Sequence, residues 1–299
     1  MTKLTKHQAG LALLWAVFLL VGWRPLVDTF ALSLRDDEYT YVLLILPISA
    51  ALIFLEWRPL RAMITLNVRA GFAFLAIAVL IACFALGRPA SLSADVQLSI
   101  RMFALVLSWI GAFVLCFGYR ASRLVLFPLC FLLGLVPLPQ LVVNTIVALL
   151  QQGSAWAAHV LFAVFGVPVA QEGVLLTIPG LTLQVAQECS SIRSSSMLLV
   201  TTMVLAQLLL RSPWRKALVI GLAVPLSIAK NGLRIFTIAM LGTRVDPGYL
   251  TGKLHHQGGV VFFAITLIAV FALFWILRKR EGLSIKSGLK PVRAEALGD

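Results

Sequence analysis

The 299-residue chain is 60% hydrophobic and carries a formal net charge of +13. Soluble domains are about 45–50% apolar, so this composition excludes a water-exposed globule. The charges separate long apolar runs rather than lining one face, which argues against nucleic acid and for the cytoplasmic loops of a membrane protein. With four histidines and no Cys-x-x-Cys, neither a metal centre nor a thioredoxin-like site is expected, and no cofactor is expected.

The first apolar run, Gly10–Val27, is too long for the h-region of a signal peptide and no small-residue cleavage pattern follows it. It reads as a first span. A span needs roughly 20 apolar residues. The further candidates are Tyr39–Leu55, Gly71–Gly87, Met102–Gly118, Leu124–Leu138, Ile192–Leu210, Ala217–Leu241 (with Pro225 as a possible kink) and Gly259–Leu277. The segment Leu141–Val169 is apolar as well, but it holds Asn144, Gln151, Gln152, Ser154 and His159. It reads as a helix at the interface or dipping in partially.

Charge separates eight spans from nine. With the N-terminus inside, the cytoplasmic segments collect Lys3, Lys6, Arg58, Arg61, Arg69, Arg120, Arg123, Arg211, Arg215, Lys216 and the basic tail from Arg278. Most acidic residues fall on the other side, among them Asp36, Asp37, Asp95, Glu172 and Glu188. Counting Leu141–Val169 as a further span would turn Arg211, Arg215, Lys216 and the tail outward, against the positive-inside rule. The expected protein is therefore all-α and polytopic, with about eight transmembrane helices, an interfacial helix and both ends in the cytoplasm. Residues 1–280 form a single membrane domain, and 281–299 form a disordered basic tail. Val174–Ile178 and Leu181–Val185, joined by Pro179-Gly180, read as a short hairpin on the outer face.

Ionisable residues in or at the ends of spans are functional candidates by default. Three clusters qualify. Glu188-Cys189-Ser190-Ser191-Ile192-Arg193 opens the sixth span, where a helix N-terminus stabilises a thiolate. Lys230-Asn231-Gly232-Leu233-Arg234 lies in the seventh, with Asn231 and Arg234 on one face. Arg234 is roughly 27 Å beyond Lys216 along a helix, near the outer boundary. His255-His256-Gln257-Gly258-Gly259 precedes the last span, and at most one of the two histidines can face a shared site. The topology brings Cys189, Arg234 and one histidine to the same side at similar depth. Cys, His and Arg suffice for acyl transfer: a thiolate attacks, His moves protons and Arg holds developing negative charge.

In their order and spacing, Cys189-Ser190-Ser191-Ile192-Arg193, Asn231-Gly232-Leu233-Arg234 and His255 before Gly259 resemble the exosortase/archaeosortase family of membrane transpeptidases. Ser191 stands where the family often has Gly, a small-for-small exchange. The resemblance implies a site of Cys189, Arg234 and His255, supported by Arg193 and Asn231, with Glu188 and His256 beside it. It implies membrane-anchored substrates that end in a sorting signal of the PEP-CTERM kind: a short motif, a transmembrane helix and a basic end. It further implies an acceptor such as a lipid or polysaccharide, and a bacterial inner membrane with the active site on its outer face. A protease that only hydrolyses shares the same acyl-enzyme. A transporter is the remaining alternative, although transporters place polar residues near the midplane.

Overall fold

The computed structural model describes residues 3–63, 68–87, 92–185, 192–250 and 259–288. Its contacts divide the chain into two compact units, Met1–Thr145 and Ile146–Asp299. Among the described residues seven helices are long and apolar enough to cross a membrane, or eight if one bent pair counts as a single span. The all-α polytopic fold with a small sheet is thus as expected.

The bent pair is α1 (Lys3–Val21) and α2 (Trp23–Arg35). Residues 9–21 meet α2 at 73°, so the expected first span, Gly10–Val27, is bent within its length. Two features account for the break. Pro25 lacks an N–H and its ring crowds the carbonyl four residues earlier. Gly22 lets the backbone close on α6 (Ala94–Leu124), since a Cβ there would lie 2.6 Å from Leu105 Cδ1.

Helix α6 is the core of the first unit, buried over 72% of its most apolar stretch. Phe113 and Phe117 stack on one another at 4.8 Å. Against it lies α5 (Val68–Gly87), so closely that a Cβ at Gly71 would sit 2.5 Å from Leu115 Cβ. Near its end α6 kinks at Gly118, whose φ of 83° falls where glycine is favoured.

The next stretch departs from expectation. Leu124–Leu138 is not one helix but α7 (Leu126–Phe131) followed by a 3₁₀ turn, Leu132–Leu135. It runs antiparallel to α3 (Val42–Leu55). The Ser49 hydroxyl donates to the Pro128 carbonyl at 3.2 Å, and the Tyr39 hydroxyl to the Leu138 carbonyl at 2.8 Å. Ser99 supplies a third donor, 2.7 Å from the Pro137 carbonyl. A broken helix frees carbonyls that an apolar interior must satisfy, and these hydroxyls do so. By contrast, α8 (Gln140–Val164) is continuous over 25 residues and qualifies as a span by length and composition. The number of spans stands, while its membership is corrected: Gln140–Val164 enters and Leu126–Leu135 is too short.

In the second unit α8 leads into an antiparallel sheet of β1 (Ala170–Glu172), β2 (Leu175–Ile178) and β3 (Leu181–Gln184). The expected hairpin is β2–β3, turning at Gly180 with φ +82°; β1 is an addition. Leu176, Ile178 and Val185 form a core with Ala155, Ala158, Phe162, Ile235 and Ala239. Three long helices complete the unit: α9 (Ile192–Leu209), α10 (Pro213–Arg244, helical on both sides of Pro225) and α11 (Gly259–Gly288). Helix α11 therefore continues into the first part of the segment expected to be a disordered tail.

Candidate active site

Helix α10 is amphipathic in an unusual sense, because its inward face is polar over two turns. Ser227, Lys230 and Asn231 are all buried, at 1%, 6% and 1% exposure, and Arg234 follows one turn on. Residues three and four apart share a helix face, so all four project to one side. The opposite side is held by close packing. A Cβ at Gly232 would lie 2.5 Å from Ala157 Cβ, which only glycine permits. Phe236, further along that side, packs edge-on against Phe162 at 5.0 Å.

The polar face meets the first turns of α9. The Lys230 ammonium donates to Ser194 Oγ at 2.5 Å. One turn earlier, Ser227 and Ser195 share a hydroxyl hydrogen bond of 2.6 Å. Two hydroxyls of the run Ser194-Ser195-Ser196 therefore join α9 to α10. The start of α11 closes the third side: a Cβ at Gly259 would stand 3.7 Å from Arg234 Nη1.

These three helix segments enclose a pocket of about 630 Å³. Its polar lining is Arg193, Ser194, Lys230, Asn231 and Arg234, and its apolar wall includes Met197 and Phe263. That volume falls in the range of sites for small molecules and peptide side chains, about 300–1,000 Å³. The lining can hold negative charge. Arg stays protonated at any ordinary pH and has five donors, and a lysine ammonium has three.

Of the site residues expected from sequence, Arg193, Asn231 and Arg234 are brought together in this pocket, with Gly259 at its edge. Glu188, Cys189, His255 and His256 lie outside the described residues. Lys230 and Ser194 are additions. Lys230 belongs to the cluster read from sequence but carried no role there. The available signal was a second cation four residues before Arg234 in an apolar helix.

The other end of the same helices is basic. Lys216 donates to Gln207 Oε1 at 2.8 Å, and Arg215 to the Leu277 carbonyl at 3.3 Å. The pocket takes its residues from the opening turns of α9 and α11, whereas Gln207 and Leu277 lie far along them. The pocket and the basic cluster therefore occupy opposite ends of the bundle.

No curated protein and no solved structure matches the chain. A protein-family model does: the transmembrane exosortase model (Exosortase_EpsH) matches residues 31–272, well over half of the sequence. The matched region contains the pocket residues and both segments of sequence that adjoin them. The chain belongs to the transmembrane exosortase family, a family of membrane-embedded sorting enzymes.

Proposed function

We propose that the chain is a cysteine transpeptidase that cleaves C-terminal sorting signals of exported proteins and passes the protein to another acceptor. The substrate carries a short motif, a transmembrane helix and a basic end, as PEP-CTERM signals do. The Cys189 thiolate attacks the scissile carbonyl and forms an acyl thioester. His255 takes the thiol proton and returns it to the leaving amine. Arg234 holds the negative charge of the tetrahedral intermediate, where preorganised donors act most strongly. Arg193 and Asn231 support it. A hydroxyl or amine of a lipid or polysaccharide then takes the acyl group and regenerates the thiol.

One observation carries this reading: residues from three separate sequence clusters, Arg193, Asn231 with Arg234, and Gly259, line one pocket. Cys189 stands four residues before Arg193, and His255 four before Gly259. Four residues of chain extend at most about 14 Å. The basic cluster at the opposite end of the bundle favours a pocket on the outer face of a bacterial inner membrane. The bent first pair counted as one span gives eight, an even number, which puts both ends on one side; the basic residues on that side favour the inside.

Co-expression with a tailed substrate tests the proposal. Cys189→Ala is expected to abolish processing while the protein still inserts; undiminished processing by that variant refutes it. Product mass separates transfer from hydrolysis, because both proceed through the same thioester.

A further inference from the structure

The end of the second unit remote from the pocket brings together two stretches that are far apart in sequence. Arg215 Nη1, in the opening turn of α10, donates to the Leu277 carbonyl of α11 at 3.3 Å across 62 residues. Leu277 directly precedes a run of three exposed cations, Arg278, Lys279 and Arg280. Arg211, also exposed, stands two residues before α10. Glu281 is the one carboxylate that adjoins either stretch in sequence. A single carboxylate can offset only one of these positive charges, and like charges gathered near a low-dielectric medium repel.

The neighbouring surface is apolar and aromatic. Trp214 is 71% exposed and Trp275 66%, and exposed tryptophans at the ends of spans mark the level of the lipid headgroups. On α11, Ile268, Phe271 and Trp275 are all exposed. They lie three and four residues apart and so form one stripe along the helix. The stripe ends at Lys279, whose Nζ stands 5.3 Å from the centre of the Trp275 ring. An apolar stripe that runs up to a cation is complementary to an acyl chain that ends in a phosphate.

Orientation in the membrane asks only that basic residues gather on this side. That accounts for their number. It does not account for a guanidinium folded onto the neighbouring helix or a lysine laid against a tryptophan, because a charge that serves orientation alone trails into water and keeps its rotamer freedom.

We propose that this end of the unit binds one anionic phospholipid. Its phosphodiester pairs with Arg215 of α10 and with Arg278 and Lys279 of α11, and an acyl chain follows the stripe through Trp275 and Phe271. The site is separate from the pocket, and the proposal does not depend on the transpeptidase reading.

The test counts bound lipid. The purified full chain in a neutral detergent is titrated with dioleoyl phosphatidylglycerol and, separately, with dioleoyl phosphatidylcholine, and complexes are resolved by native mass spectrometry. A basic residue at a membrane surface is worth about fivefold in affinity for an anionic lipid. The first phosphatidylglycerol is therefore expected to bind roughly tenfold tighter than phosphatidylcholine, or better. Arg278→Gln combined with Lys279→Gln is expected to erase most of that preference, and Arg215→Gln to lower it about fivefold. Trp275→Ala is expected to weaken both lipids. Arg278, Lys279 and Trp275 are exposed, so these variants leave folding intact if Arg215→Gln does not. Arg58→Gln with Arg69→Gln removes the same charge from exposed positions of the first unit and is expected to leave the first bound phosphatidylglycerol in place. An equal loss from that control pair shows a diffuse field instead of a site and overturns the proposal. Equal retention of the two lipids by the wild-type chain overturns it as well. Complete displacement by millimolar inorganic phosphate at constant ionic strength assigns the cations to a soluble anion, which also overturns it.

Discussion

Lys216 and Lys230 lie on the same helix and both donate to a neutral side-chain oxygen of α9, Gln207 in one case and Ser194 in the other. Their settings differ. Lys216 stands in the opening turns of α10 beside Arg215, half-buried, at the basic end of the bundle. Lys230 is nearly fully buried, with Asn231 and Arg234 around a cavity. The first is positioned where a long side chain can reach water at little cost. The second is kept where a charge is expensive. A cation at a helix end reports orientation, and a cation inside a helix reports a site.

That contrast can be broken by substitution. The largest effect is expected at Arg234, because the proposed mechanism sets it against developing charge: Arg234→Ala is expected to lower processing of a tailed substrate by roughly 10²–10³-fold, read by pulse-chase. If it costs less than a few-fold, Arg234 is not at the reacting carbonyl. Next comes the matched pair itself. Lys230→Met is expected to reduce processing about tenfold through lost binding, appearing in KM before kcat. Lys216→Met is expected to change it by less than about twofold, as it lies at the far end of the bundle from the pocket and its head can reach water. Equal losses at the two lysines remove the distinction. A stability comparison follows on the same helix. Gly232→Ala forces a Cβ to within 2.5 Å of Ala157, and overpacking costs about 1–3 kcal/mol. A Cβ at Gly221 meets nothing within 4 Å, so Gly221→Ala is neutral or stabilising by up to ~1 kcal/mol. Thermal unfolding in detergent checks both. The smallest effect is expected for Arg215→Gln, which loses a 3.3 Å bond to Leu277 and shifts stability by under about 0.5 kcal/mol.

Residues that line the pocket were easier to pick out from sequence than the helices around them. Arg193 and Arg234 were legible because a charge in or at the end of a span is a functional candidate by default, Asn231 because it shares a helix face with Arg234, and Gly259 because it follows the histidine pair. The β2–β3 hairpin was legible from Pro179-Gly180 between alternating residues. Helix α8 was misjudged because Leu124–Leu138 already counted as a span, so a further one would have turned Arg211, Arg215, Lys216 and the tail outward, and because its polar residues suggested an interfacial helix. Ser154 in fact turns its hydroxyl onto the Leu150 carbonyl of its own helix, and Gln151 donates to the Val185 carbonyl. Neither needs water. The break in Leu124–Leu138 was hidden because the donors that satisfy its carbonyls, Tyr39, Ser49 and Ser99, come from distant positions. Lys230 went without a role for the same reason: Ser194 is 36 residues away in sequence, and no local spacing connects them.

In the proposed mechanism the pocket serves a thiol at Cys189. Mixing the purified chain with a sorting-signal peptide, quenching in acid and mapping by mass spectrometry tests it most directly. An acyl adduct of the peptide's N-terminal fragment is expected on the segment containing Cys189, and is expected to be absent in Cys189→Ala. Continued cleavage by Cys189→Ala, or an adduct on a different residue, contradicts it.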